Sequence, residues 1–291
     1  MTSFEEAHKK FGDYLKRKGR ANATLLAYLK DIEQLNKHFM ESGKNLFHEV
    51  EKQDIENFLK SLKDSGYTTK SISRKINSIR TFFGFLLEER VIEANPAKFI
   101  THPKLKPKDP RILSKIEYRA LRDTVKDDPR TRAVFEIFLQ TGIRISELAA
   151  IKIDDLEFKE NGKESNLYIR SDKAHVSRTI PLNESGEKSI KGYINVRPKV
   201  RAKAFFVTKT GKPLLIRNIR ATMDRYFKKA GLENIKVNDL RHTFIAHHLK
   251  EGASLYYISK IAGHKRISTT EKYLEFIDRK DKVEKMELGE L

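Results

Sequence analysis

The sequence predicts a mostly α, two-domain protein: an N-terminal four-helix bundle and a C-terminal α+β domain carrying a small antiparallel sheet. Three observations predict it. Apolar residues recur at helical spacing from residue 4 to 92 with no convincing strand pattern. A stretch with four prolines follows, "ANPAKFITHPKLKPKDPRI", which a long helix cannot cross. Beyond it, three short strand-like runs sit between helical ones.

Phe4, Ala7, Phe11, Tyr14 and Leu15 make the first apolar stripe, and Leu25, Tyr28, Ile32, Leu35 and Phe39 the second. Breaks are expected near Asn22 and at "SGKN" from Ser42. A third helix fits "EKQDIENFLKSLKDSG", closing at Gly66, and a fourth runs through Ile72, Ile76, Ile79, Phe82, Phe83, Leu86 and Leu87. Four such helices make a compact bundle over residues 1–94. Residues 95–111 read as a basic linker, with Pro96, Pro103, Pro107 and Pro110 among four lysines and Arg111. Such a strap is either a plain solvated connection or an arm that wraps a polyanion.

The second domain, 112–291, begins with helices at "SKIEYRALRDTV" and "RTRAVFEIFLQTG". Strands fit "DLEFK", "SNLYIRS" and "VSRTIPLN". The first pair is joined through Asn161-Gly162, a hairpin signal, and the second through the polar turn "DKAH". Then come a helix at "SGEKSIKGYINVR", the run "KAFFVT" with its glycine turn, and a helical remainder from Ile216 to about Ile277.

Composition narrows the partners. The formal charge is +19 over 291 residues, with a pI near 9.8, and the basic residues are spread along the chain. A folded protein that basic faces a polyanion, most often nucleic acid. There is no cysteine, so disulfides and thiolate zinc sites are excluded. No P-loop, dinucleotide fingerprint or metal-ligand spacing occurs, so no cofactor or metal is expected. No apolar run approaches the roughly 18 residues of a membrane span, and the first residues lack a signal peptide's apolar core. A cytoplasmic protein is expected.

The chemistry-bearing candidates are scattered. Arg144 lies between Gly142 and a possible helix start at "SEL", partly shielded; it serves either an anion or an ion pair with Glu147. "VNDLRHTFIAHHL" offers Arg241 and His242 at the start of a helix. His247 and His248 further along read as surface or packing residues. "AGHKRISTTEKYLEF" contains His264 and Tyr273, the latter either core filler or a nucleophile. With Lys173 from the polar hairpin turn, these make two guanidiniums, an amine, an imidazole and a phenol. That set suits phosphoryl transfer without metal. Arginines clamp the non-bridging oxygens, a lysine protonates the departing 5′ oxygen, and the tyrosine forms a covalent phosphodiester. An ordinary phenol titrates near 10, so attack needs an electropositive setting.

"TGIRISEL", "DKAHVSRTIPL", "LRHTF" and "AGHKRISTTEKY" together resemble the motifs of the tyrosine recombinases, and the plan is similar to the bacterial and archaeal Xer group. The resemblance spans nearly the whole chain. It implies an N-terminal SAM-like core-binding domain and a C-terminal tyrosine recombinase catalytic domain that clamp duplex DNA. On the matching motifs, Arg144 and Arg241 correspond to the family's arginines. Lys173 corresponds to the β-hairpin lysine, five residues before Arg178. His264 corresponds to the "GH" histidine, and Tyr273, nine residues on, to the nucleophile. The implied reaction leaves a 3′-phosphotyrosine and a free 5′-hydroxyl, and four protomers exchange strands on two sites of paired inverted half-sites. A paralogous recombinase is an alternative partner, and the nucleoid the implied place of action.

One position departs from the pattern: Asn238 stands where the motif usually opens with histidine. Asparagine donates hydrogen bonds but cannot shuttle a proton at neutral pH. Loss of a general base costs on the order of 10² to 10⁴ in rate unless water, His242 or Lys173 substitutes. His242 follows Arg241 by about 100° around the helix and is expected to be mainly structural. Three further readings stay open: the same fold with lost catalysis, a type IB topoisomerase, and the integrase or transposase of a mobile element. The tail "LEFIDRKDKVEKMELGEL" has room for one more short helix, which packs on its own domain or, as the resemblance implies, docks on a neighbouring protomer.

Overall fold

The computed structural model describes residues 3–105, 109–158, 164–171 and 176–287, with side chains as far as Asp278. The chain divides into two compact units, 1–107 and 108–291, each with its own core.

The first unit holds helices α1 (Phe4–Arg17), α2 (Asn22–Glu41), α3 (Lys52–Asp64) and α4 (Thr69–Glu88). The starts are chemically specified. Ser3 caps α1 by accepting from the Glu6 N–H at 3.1 Å, and Thr68 caps α4 by accepting from the Ser71 N–H at 3.2 Å. Phe11, Leu15, Ile32, Leu35, Ile55, Phe82 and Phe83 are buried together, as the stripes predict. A polar knot crosses this core: Lys75 donates to Asp31 at 2.8 Å, and Ser78 donates to the same carboxylate at 3.0 Å. The bundle's core extends further than its sequence boundary at 94, because Ala97 and Ile100 are also buried in it. Arg80 holds that segment by donating to the Ile100 carbonyl.

The second unit is mainly helical: α5 (Lys115–Val125), α6 (Pro129–Thr141), α7 (Ile145–Ala150), α8 (Glu184–Val196), α9 (Ile216–Lys229), α10 (Val237–Lys250), α11 (Leu255–Ala262) and α12 (Ser268–Glu287). Helix α6 is its axis. Ala133, Val134, Phe135, Ile137, Phe138 and Leu139 are buried around its whole circumference, and it packs on α8 and α10. Strands β1 (Leu156–Glu157), β2 (Ser165–Ile169) and β3 (Arg178–Leu182) form an antiparallel sheet in that order, with Leu156 opposite Leu167 and Ile169 opposite Arg178. The expected Asn161-Gly162 turn and the "DKAH" turn lie outside the described residues.

In the run "KAFFVT", Ala204 and Val207 make isolated bridges to Lys152 and Pro213, while Phe205 and Phe206 face the core. One expectation changes. Among the described residues no separate tail helix follows Tyr273, because α12 runs unbroken from Ser268 to Glu287 with Leu274 and Ile277 packed against its own unit. Among the described residues no helix is long and apolar enough to cross a membrane.

Candidate active site

Two helix ends build the site. Helix α6 stops at Gly142 (φ 60°) and α11 at Gly263 (φ 67°), both in the left-handed region that glycine enters freely. Each glycine turns its carbonyl toward an arginine: Arg241 Nη1 donates to Gly142 O at 2.5 Å, and Arg144 Nη2 donates to Gly263 O at 2.6 Å. The turns that end these helices thus hold the guanidiniums in place.

Arg144 sits just before α7, where Glu147 Oε2 accepts from its backbone N–H at 2.8 Å. Its side chain also donates to Glu147 Oε1 at 3.1 Å and to Ala262 O at 3.3 Å. Both open readings of Arg144 therefore have a basis: it pairs with Glu147, yet keeps about a quarter of its side chain exposed. Arg178, at the start of β3, grips the same carboxylate with two bonds of 2.9 and 2.8 Å and donates to Ile261 O at 2.6 Å. Burial pushes the Glu147 carboxyl up, but the Arg178 bonds, the Arg144 N–H and both positive charges hold it below its ordinary value. The sequence reading used Arg178 only as a landmark. Here Arg178 and Glu147 form the brace between β3, α7 and α11.

Helix α10 carries the second half. Asp239 Oδ2 accepts from the Lys236 N–H at 2.8 Å, which fixes where the helix starts. Arg241 is only 5% exposed. Burial, and then the nearby Arg144, lower its pKa to about 10, so it remains protonated at neutral pH. Among the described residues one of its five N–H groups is engaged, leaving donors for an anion. His264, in the turn between α11 and α12, bonds through Nδ1 to Thr270 Oγ1 at 2.7 Å. Burial first, then Arg241, Arg144 and Arg178, push its pKa down to about 4, so the ring is neutral.

Tyr273 lies one turn into α12 and is 7% exposed. Its ring lies nearly parallel to that of His264, with centroids 6.4 Å apart. Burial raises its pKa to about 12, although Arg241 pulls the other way. Its hydroxyl meets His242 Nδ1 at 2.5 Å, and His242 Nε2 meets Asn238 Nδ2 at 2.8 Å.

The structure thus gathers Arg144, Arg241, His264, Asn238 and Tyr273 from four separate segments. Lys173 lies outside the described residues. His242, expected to be mainly structural and named as one substitute base, is the group in contact with the tyrosine oxygen. Its side chain and that of Arg241 point at different neighbours, α12 and Gly142. The available signal was the spacing of Asn238 and His242, four residues apart on one helix face. Tyr256 and Tyr257, expected to pack, are 63% and 51% exposed on α11.

Arginines gathered near a buried tyrosine are an arrangement that suits phosphoryl transfer. The chain belongs to the phage integrase family: residues 111–279 match the family itself and residues 9–90 its N-terminal SAM-like domain. Within that family it is Xer-like. It is 30% identical to the tyrosine recombinase XerC of Thermodesulfovibrio yellowstonii over 298 residues, covering 98% of this chain and 96% of that protein. With the XerC of Bacillus subtilis it shares 30% over 287 residues, covering 94% and 92%. Solved structures agree in fold. A lambda integrase dimer bound to a COC′ core site has a TM-score of 0.74 at 18% identity, covering 93% of this chain and 77% of that one. The Tn1549 transposon integrase with transposon right end DNA has a TM-score of 0.74 at 21%, covering 93% and 94%. The XerA recombinase crystal structure has a TM-score of 0.52 at 24%, covering 92% of both chains.

Proposed function

We propose that this site-specific tyrosine recombinase cuts duplex DNA by attack of the Tyr273 oxygen on a backbone phosphate, leaving a 3′-phosphotyrosine and a 5′-hydroxyl. The observation that carries the assignment is the buried Tyr273 hydroxyl held beside Arg241, with Arg144 and Arg178 near enough to depress His264. Arg144 and Arg241 take the non-bridging oxygens, and their bonds strengthen as charge builds in the transition state. Neutral His264 adds a hydrogen bond, and Lys173 is the proton donor to the departing 5′ oxygen. The +19 charge and the DNA-bound states of the lambda and Tn1549 integrases support duplex DNA as substrate. The lambda integrase dimer on its core site supports action by more than one copy of the chain on paired half-sites, and a DNA substrate favours the nucleoid as the place of that action.

Replacing Tyr273 by phenylalanine tests this. The probe is a nicked suicide duplex built on the sequence that the full-length chain selects from random DNA. Tyr273→Phe should bind it within a few-fold of the unaltered protein and form no covalent adduct. A Tyr273→Phe protein that still trapped DNA would move the nucleophile elsewhere, with exposed Tyr256 and Tyr257 the next to test.

A further inference from the structure

Asn238 leaves the site without a titratable group at its motif position, yet a phenol with a pKa near 12 needs a proton acceptor to attack at neutral pH. Among the described residues one side-chain imidazole touches the oxygen. His242 Nδ1 is 2.5 Å from Tyr273 Oη, inside hydrogen-bond reach, and the two rings lie 5.7 Å apart between centroids. The other ring nitrogen is held by Asn238 at 2.8 Å, one helical turn back.

We propose that His242 is the general base for Tyr273 in this chain and that Asn238 is the positioning residue that sets its tautomer. The inference rests on the tyrosine being the nucleophile. In the attack, the Oη–H proton passes to His242 Nδ1 as the Oη–phosphorus bond forms. The bond from phosphorus to the 5′ oxygen breaks, and that oxygen takes its proton from the general acid. In rejoining, the 5′-hydroxyl attacks phosphorus and gives its proton back to the deprotonated general acid, while the imidazolium returns its proton to the departing tyrosine oxygen.

The asparagine is suited to its part. An imidazole acting as base through Nδ1 carries its hydrogen on Nε2, and both nitrogens carry one after proton transfer. An amide with its oxygen toward Nε2 accepts a hydrogen bond in both states. With its nitrogen toward Nε2, as it lies in the structure, the same amide favours the tautomer that donates to the tyrosine oxygen. A half-turn of the Asn238 amide therefore switches His242 between holding the phenol and deprotonating it. The ring is neutral: burial lowers its affinity for a proton, Asp239 opposes this, and the adjacent Arg241 adds a smaller lowering.

The test uses single-turnover cleavage of the same suicide duplex. His242→Ala should bind DNA within a few-fold of the unaltered protein while cleavage falls on the order of 10² to 10⁴-fold. Added imidazole should restore part of the rate in proportion to its neutral form. A 5′-bridging phosphorothiolate, whose sulfur leaves without a proton, should not restore it, because the missing group is a base and not an acid. His242→Gln, which keeps polarity and fills the space, serves where the alanine protein unfolds, and it should show the same loss. Asn238→Ala should show a smaller loss that imidazole does not repair. Cleavage by both His242 variants at the unaltered rate would overturn the proposal. So would a loss in His242→Ala that imidazole leaves untouched or that the phosphorothiolate repairs. Absence of an adduct from the unaltered protein, or its persistence in Tyr273→Phe, would instead defeat the assignment of the nucleophile.

Discussion

His264 shows how burial sets a charge state at the scale of one residue. Burial is the largest influence pushing its pKa down to about 4, with the charges of Arg241, Arg144, Arg178 and His242 adding to it. An unfolded chain would protonate the same ring near 6.5. Between those values the unfolded state binds a proton that the folded state refuses, so this contribution to stability is complete above about pH 6.5 and fades as pH falls toward 4. Denaturant midpoints measured from pH 7.5 to 4.5 should therefore fall more steeply for the unaltered protein than for His264→Gln. Parallel curves would mean that the ring protonates as readily folded as unfolded. Arg144, Arg241, His264 and Tyr273 were legible as a set because each sits in its own short motif. His242 was legible only as one of three substitute bases, because the tyrosine it contacts is 31 residues away on another helix. Arg178 and Glu147 were seen singly and not as a brace, since sequence spacing cannot join β3 to α7.

Helices with one apolar stripe and a clear cap could be read to within a few residues, as α1 and α4 were, because capping and periodicity are local. The glycines that end α6 and α11 were seen as turns, but their carbonyls' arginine partners were not. Gly263 shows what rests on that turn. A Cβ there would lie 2.8 Å from Arg178 Nη1, 2.9 Å from its Cζ and 3.1 Å from Arg144 Nη1, on a backbone at φ 67°. Gly263→Ala should cost about 1–2 kcal/mol from the left-handed backbone. It should also displace both guanidiniums, and misplacement by about 1 Å can lower catalysis on the order of 10²-fold. Chemical denaturation and suicide-duplex cleavage read the two effects separately. An alanine protein that matched the original in both would show that the turn does not position the arginines.

At the scale of the whole molecule, charge is the property that both units share and that no single motif explains. The net charge of +19 is carried by 59 lysines and arginines against 40 acidic residues. Some of those cations are spent inside the fold, as Lys75 is on Asp31 and Arg178 on Glu147. Others pair at the surface, where such bridges are weak and easily exchanged for phosphate. If the remaining cations face a duplex, binding displaces condensed counterions, and affinity falls with salt by about 0.9 per neutralised phosphate on a log–log scale. Engagement of roughly six to ten phosphates by one protomer gives a slope of about −5 to −9. Gel shifts of the full-length chain on a half-site, at a series of salt concentrations, measure this directly. The slope should be the same for Tyr273→Phe, because a buried hydroxyl is no part of the counterion exchange, whereas a nucleophile that also anchored DNA would change it. A slope nearer −2 would mean that most of the positive charge faces away from the duplex, and the composition argument for a DNA clamp would fall with it.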